Sequence, residues 1–287
     1  MFILGIMLFS ILNPVHADTI TYSRLNDIYY NLTVDGIYSS NHVTQFYLDG
    51  RLAYCIDPGA PINTKTYNAS NTWNINSLNE EKKQQIEKIG YYGYEYPGHN
   101  TDKYYIAAQE LIWQTVKNVD IKWTNSNNQI IDISKEKNEI LNLIDKHKIR
   151  PSFTNDIING INGQHLEITD DNNVLENFSL SQTEKHSTKV KDNTLVIDLS
   201  QEEAEEEVTL TRKNYDNKTL IIYQYPGSQT LAALRLNQNE ILKFKIKSAA
   251  KVEPKKEIVV VPSTGIEMQA IHYGVYKFKQ INDKKFS

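Results

Sequence analysis

Tyr105-Ile106-Ala107-Ala108-Gln109-Glu110-Leu111-Ile112-Trp113-Gln114-Thr115-Val116 is the stretch on which the reading of this chain turns. Tyr105, Ala108, Ile112, Trp113 and Val116 recur at helical spacing on one face, and Gln109 stands among them. The pattern predicts a helix capped by Asn100 or Thr101. A carboxamide on the buried stripe of such a helix costs roughly 1–3 kcal/mol of lost solvation unless it is hydrogen-bonded or chemically used. Gln114 raises no such question, because it falls about 100° further round than Trp113 and off the stripe. A core glutamine bonded to backbone is the plain alternative for Gln109.

Upstream of this helix lies the one cysteine of the 287 residues, Cys55. Phe46-Tyr47-Leu48, Asp49-Gly50 and Arg51-Leu52-Ala53-Tyr54-Cys55-Ile56 read as a hairpin, since Asp-Gly supplies the positive φ angles of a two-residue turn. Asp57-Pro58-Gly59 ends the second strand, so Cys55 is expected at a strand end. Ser77-Leu78-Asn79-Glu80 fits a capping box for a helix running to Ile89, and a third helix is expected over Ser134 to His147 with Ile140, Leu141 and Ile144 inward. The opening run MFILGIMLFSILNPVHA is apolar and ends in Val15-His16-Ala17, a signal-peptidase pattern, which predicts a leader over 1–17, export, and a mature chain from Asp18. An exported chain usually pairs its cysteines, and a single one excludes a disulfide within the chain.

A buried inert thiol is the bland reading of Cys55. Together with Gln109 it offers another: a thiol can attack the side-chain carboxamide, expel ammonia, and leave a thioester that survives where water is excluded. Tyr54, Tyr105, Ile112 and Trp113 would supply that exclusion. Tyr54-Cys55-Ile56-Asp57-Pro58-Gly59 resembles the cysteine motif of the thioester domains of Gram-positive cell-surface adhesins, and Ala108-Gln109-Glu110-Leu111-Ile112-Trp113 resembles their Thr-Gln-x-Ala-Ile-Trp motif. Ala108 and Leu111 stand where that motif has threonine and alanine. Ile89-Gly90-Tyr91-Tyr92-Gly93-Tyr94 is similar to the segment ahead of the second motif. The resemblance covers roughly the first half of the chain. It implies an internal Cys55–Gln109 thioester seated among Tyr54, Tyr105 and Trp113, and covalent bonding to a lysine amine of a host surface or matrix protein. It also implies a single-turnover acyl donor rather than an enzyme.

From about Gln164 the pattern becomes short alternating runs at regular spacing: His165–Ile168, Val174–Leu180, Thr194–Leu199, Val208–Arg212, Thr219–Tyr225, Gln229–Leu236 and Ile241–Ile246. These predict an immunoglobulin-like sandwich. The expected organisation is a leader at 1–17, an α+β thioester domain at 18–158 (a β-sandwich or barrel with a helical subdomain), an all-β stalk at 164–248, and a linker and tail at 249–287. In the tail, Val261-Pro262-Ser263-Thr264-Gly265 resembles a sortase signal and makes Thr264 the expected point of cell-wall attachment, although Glu267, Gln269 and His272 interrupt the apolar span such a signal needs.

The charge balance, 31 basic against 35 acidic residues for a net −4, supplies no basic face for nucleic acid. No metal-ligand spacing, phosphate-binding glycine loop or dinucleotide fingerprint is present, so no cofactor and no metal are expected. Two rival classes stand beside the adhesin. One is a cysteine hydrolase or transglutaminase-like enzyme with Cys55 as nucleophile and His42 or His99 as base. The other is a noncovalent binding module using a surface drawn from 18 tyrosines.

Overall fold

The computed structural model describes residues 15–17, 20–63, 66–236, 240–252, 256–261, 266–271 and 275–280. Of the expected leader only Val15–Ala17 falls within them, and Thr264 lies outside them. In chain order the elements are β1 (Val15–Ala17), β2 (Ile20–Val34), β3 (Ile37–Leu48), β4 (Arg51–Cys55), β5 (Tyr67–Ser70), α1 (Glu80–Tyr91), α2 (Asp102–Val116), β6 (Asp120–Thr124) and α3 (Ser134–Lys148). Then come β7 (Ile157–Ile161), β8 (His165–Thr169), a 3-10 turn at Leu175–Asn177, β9 (Phe178–Leu180), β10 (Ser187–Lys191), β11 (Thr194–Asp198), β12 (Ala204–Arg212), β13 (Ile221–Gln224), β14 (Leu231–Ala233) and β15 (Ile241–Ala249). β16 (Lys256–Val261), β17 (Ile266–Ile271) and β18 (Val275–Gln280) follow. The architecture is mixed α+β with several sheets. No helix among the described residues is long and apolar enough to cross a membrane.

The chain divides into two compact units, and the division departs from the expected boundary. The first comprises Met1–Pro151, Asn177–Ser179 and Thr211–Ile241; the second comprises Ser152–Glu176, Leu180–Leu210 and Leu242–Ser287. The runs Thr219–Tyr225 and Gln229–Leu236, expected in the stalk, are β13 and β14 of the first unit. They pair into its eight-stranded sheet of order β1-β5-β13-β14-β4-β3-β2-β6. The physical reason is their burial on both faces: Leu220, Ile222, Tyr223, Leu231, Ala232, Ala233 and Leu234 are all buried, and inner strands read as continuous apolar runs. The stretch 164–248 is therefore not one contiguous domain. Nor is Ala249 to Val261 all linker, since β16 pairs antiparallel with β17.

Within the first unit the Asp49-Gly50 turn forms as expected, with φ of 50° and 71°. It pairs Leu48 with Arg51, Tyr47 with Leu52 and Phe46 with Ala53. A second Asp-Gly turn, Asp35-Gly36, joins the long hairpin β2–β3, which the sequence reading passed over. The cap of α1 is Asn79, whose Oδ1 accepts from Lys82 N at 2.9 Å, rather than Ser77. Thr101 caps α2, and α3 runs from Ser134 to Lys148 with Ile140 and Ile144 buried. The second helix is more deeply set than a one-sided stripe implies, because every residue from Tyr104 to Trp113 is buried. It is the central helix of this unit's core, next to both α1 and α3 and reaching β4.

The second unit is all β. It holds a three-stranded sheet of order β10-β11-β8 and, through β7, β15 and β12, most of the four-stranded β7-β15-β12-β9. Along β15 buried and exposed residues alternate, so Leu242, Phe244, Ile246 and Ser248 line one face. Lys185, Lys189, Lys191, Lys243, Lys245, Lys247 and Lys251 of this unit are exposed.

Candidate functional site

Cys55 is the last residue of β4 and is 5% exposed. Its neighbour across the sheet is Leu231 of β14, and Ile56 N continues the pairing by donating to Thr230 O at 2.9 Å. The turn that follows is clipped to the same late segment. Thr230 N donates to Asp57 Oδ2 at 2.7 Å, and Gln229 Nε2 donates to Ala60 O at 2.7 Å. Cys55 is thus held from behind by residues 229–231, which lie some 175 positions downstream. The sequence reading missed their role. Their apolar run was legible, but a partner so distant leaves no local signal.

Gln109, 3% exposed in the middle of α2, reaches this strand end. The backbone N–H of Cys55 donates to Gln109 Oε1 at 2.9 Å, and Gln109 Nε2 donates to Cys55 O at 2.8 Å. The carboxamide is therefore paired, and its burial alone does not demand chemistry. What points to chemistry is the partner. Both bonds go to the backbone of the chain's sole cysteine, so the acyl carbon and the thiol belong to two docked residues. The N–H on Oε1 also polarises the carbonyl in the direction that a nucleophile's attack requires.

A cavity of about 290 Å³ opens onto the pair, lined by Cys55, Gln109, Tyr30, Tyr105, Trp113, Trp123 and polar groups such as Asn41 and Gln229. Among the described residues no Asp, Glu, Lys or Arg lines it. Burial, and secondarily the charge of Asp57, pushes the Cys55 thiol well above its usual range, so the group is held as S–H. Burial likewise raises the phenols of Tyr105 and Tyr30, with Cys55 as the next contributor for each.

Of the three expected seat residues, Tyr105 and Trp113 line the cavity and Tyr54 does not. Tyr54 stacks on Tyr105 with centroids 5.2 Å apart, and its hydroxyl accepts from Tyr94 N at 3.1 Å. It supports the wall from behind. That contact explains Gly93, where a Cβ would lie 2.9 Å from both the Tyr54 hydroxyl and Ala108 Cβ. Next to Gln109, the buried Glu110 accepts from Trp123 Nε1 at 2.6 Å and pairs with Lys137. This fixes Trp123, which stacks on Trp113 at 6.5 Å.

Among the described residues neither candidate histidine is hydrogen-bonded to Cys55. His99 is buried, engages Tyr92 O at 2.8 Å through Nδ1, and stacks on Tyr104. His42 lines the cavity with Cys55, and its ring packs on that of Tyr29, its cross-strand partner. Strand alternation puts that pair on the face opposite Tyr30 and Asn41, and it is Tyr30 that meets Trp113. Among the described residues no group of three His, Cys, Asp or Glu side chains is placed to hold a metal.

Residues 52–148 match the thioester-domain family. The match takes in both Cys55 and Gln109. The fold is also similar to that of the solved thioester domain of the Staphylococcus aureus TIE protein, with a TM-score of 0.65 and 19% identity. That likeness covers 83% of this chain and 99% of the other. It reaches well past the 18–158 expected for a thioester domain, in keeping with strands β13 and β14 belonging to the same sheet as Cys55. No curated protein matches the chain.

Proposed function

We propose that Cys55 and Gln109 form an internal thioester and that the chain uses it once, as an acyl donor to a lysine amine on a host surface or matrix protein. The observation that carries this reading is the double hydrogen bond between the Gln109 carboxamide and the Cys55 backbone. In the forming step the thiol sulfur attacks Gln109 Cδ, the C–N bond breaks, and the thiol proton leaves with the departing nitrogen as ammonia. The Cys55 N–H holds the oxygen as its charge grows. In the second step a neutral amine attacks the same carbon and the C–S bond breaks. The sulfur then takes back a proton, leaving an amide on Gln109. Because the site is buried and the thiol resists ionisation, Cys55 is a poor leaving group until a nucleophile has entered, which protects the bond against water.

The family match, the apolar leader and the sorting-like tail together support a secreted surface adhesin, anchored to the cell wall near Thr264. Incubating the purified chain with host matrix proteins and boiling in denaturant tests the reading. Adducts of summed mass are expected, and Cys55→Ala and Gln109→Ala should each reduce them to background. Adducts that persist in Cys55→Ala would show that the linkage does not pass through the thioester.

A further inference from the structure

The indole N–H of Trp113 is buried and without a hydrogen-bond partner among the described residues. An orphaned buried donor loses about 1–3 kcal/mol of solvation, and folded proteins carry few of them. The neighbouring indole shows the ordinary solution, since Trp123 Nε1 is spent on Glu110 at 2.6 Å. Trp113 has no such outlet, although its ring is fixed between Trp123 and Tyr30, at 6.5 and 6.2 Å between centroids.

Its position makes the donor useful. Trp113 lies four residues after Gln109 on α2, so the two side chains share one face of the helix a turn apart. Helical side chains lean toward the N-terminus, which carries the indole back over the turn that holds Gln109. Trp113, Gln109 and Cys55 all line the same cavity, and among the described residues no Asp or Glu lines it to compete for the donor. Gln109 Oε1 holds a single donor, the Cys55 N–H, and a carbonyl oxygen that becomes an oxyanion gains from a second.

We infer that Trp113 Nε1–H is the second oxyanion donor of the Cys55–Gln109 centre, engaged when Gln109 Cδ becomes tetrahedral. This rests on the thioester reading above. In aminolysis the amine lone pair bonds to Cδ and the carbonyl π pair moves onto Oε1. There it is held by Cys55 N–H and Trp113 Nε1–H. The pair then returns, the C–S bond breaks, and the proton shed by the amine goes to sulfur.

The test compares the full chain with Trp113→Phe, which keeps a ring and removes the donor, and with Trp73→Phe. The second variant removes an indole N–H that is bonded to Glu87 and does not line the cavity. Intact mass reports whether the bond has formed, and the appearance of the Cys55 thiol on adding methylamine reports the rate of aminolysis. Trp113→Phe should still be lighter than its sequence by one ammonia, because a slowed single event still completes. Its methylamine reaction should be slower by roughly a hundredfold, whereas Trp73→Phe should stay within about threefold of the wild type. A Trp113→Phe protein that forms the bond and reacts at close to the wild-type rate overturns the assignment. So does one at full sequence mass, or an equal slowing in Trp73→Phe. A wild-type chain at full sequence mass would instead remove the thioester reading on which the assignment depends.

Discussion

Gln109 and His147 show how far one residue's surroundings decide its chemistry. Gln109 is buried and paired to the backbone of Cys55, so the amide is positioned rather than merely tolerated. His147 is buried on α3 against the Tyr92 hydroxyl at 2.7 Å, and its pKa falls to about 4, chiefly through burial and then through the charges of Arg212 and Lys88. The unfolded chain takes up that proton near the ordinary histidine value of about 6.5, but the folded chain refuses it until about pH 4. The stability due to neutral His147 is therefore full above the unfolded value and is lost as pH falls through this window. Denaturant titrations should show His147→Gln with a shallower fall of stability between those limits, by up to about 1.4 kcal/mol per pH unit. Identical slopes in the two proteins would contradict it. At this scale the sequence was informative about Cys55, Gln109 and Gln114, because type and helical phase could be read directly. Tyr54 was misplaced into the cavity wall because β4 is buried on both faces, so alternation could not say which side it took. Glu110 was passed over because a buried carboxylate is expected only where partners such as Trp123 and Lys137 exist, and these are contributed by other elements.

Among the elements, β13 and β14 decide the integrity of the site. They fill the centre of the eight-stranded sheet between β5 and β4, and β14 backs Cys55 itself. The segment after β14 also packs under α1, where Leu234 Cβ lies 2.2 Å from the position a Cβ on Gly90 would take. A chain ending near Phe153 thus lacks two inner strands and this contact. An independent thioester domain at 18–158 would imply that such a fragment folds nearly complete; the pairing predicts the opposite. Circular dichroism and thermal melting of residues 18–153 should show no cooperative transition, whereas the full chain should unfold cooperatively. A sharply melting fragment would contradict the role given to β13 and β14. The hairpin β3–β4, α2 and α3 were legible because a two-residue turn and a 3.6-residue period are local signals. Strand order was not, since apolar runs say that a strand is buried but not beside which partner.

For the whole molecule, the interleaving of the two units along the chain changes what the second one is. Its segments Ser152–Glu176 and Leu180–Leu210 fall between parts of the first unit in sequence. The chain therefore passes between the two units more than once. The covalent chemistry proposed for this chain rests on Cys55 and Gln109, which meet in the first unit. The measurement that bears most directly on this is the intact mass of freshly made, undenatured protein before and after methylamine. A chain lighter than its sequence by one ammonia and closed to thiol reagents is expected. After methylamine it should carry a methylamide on Gln109 and an alkylatable Cys55. Full sequence mass, with Cys55 open to alkylation from the start, would contradict it and return Cys55 and Gln109 to the role of ordinary packed core residues.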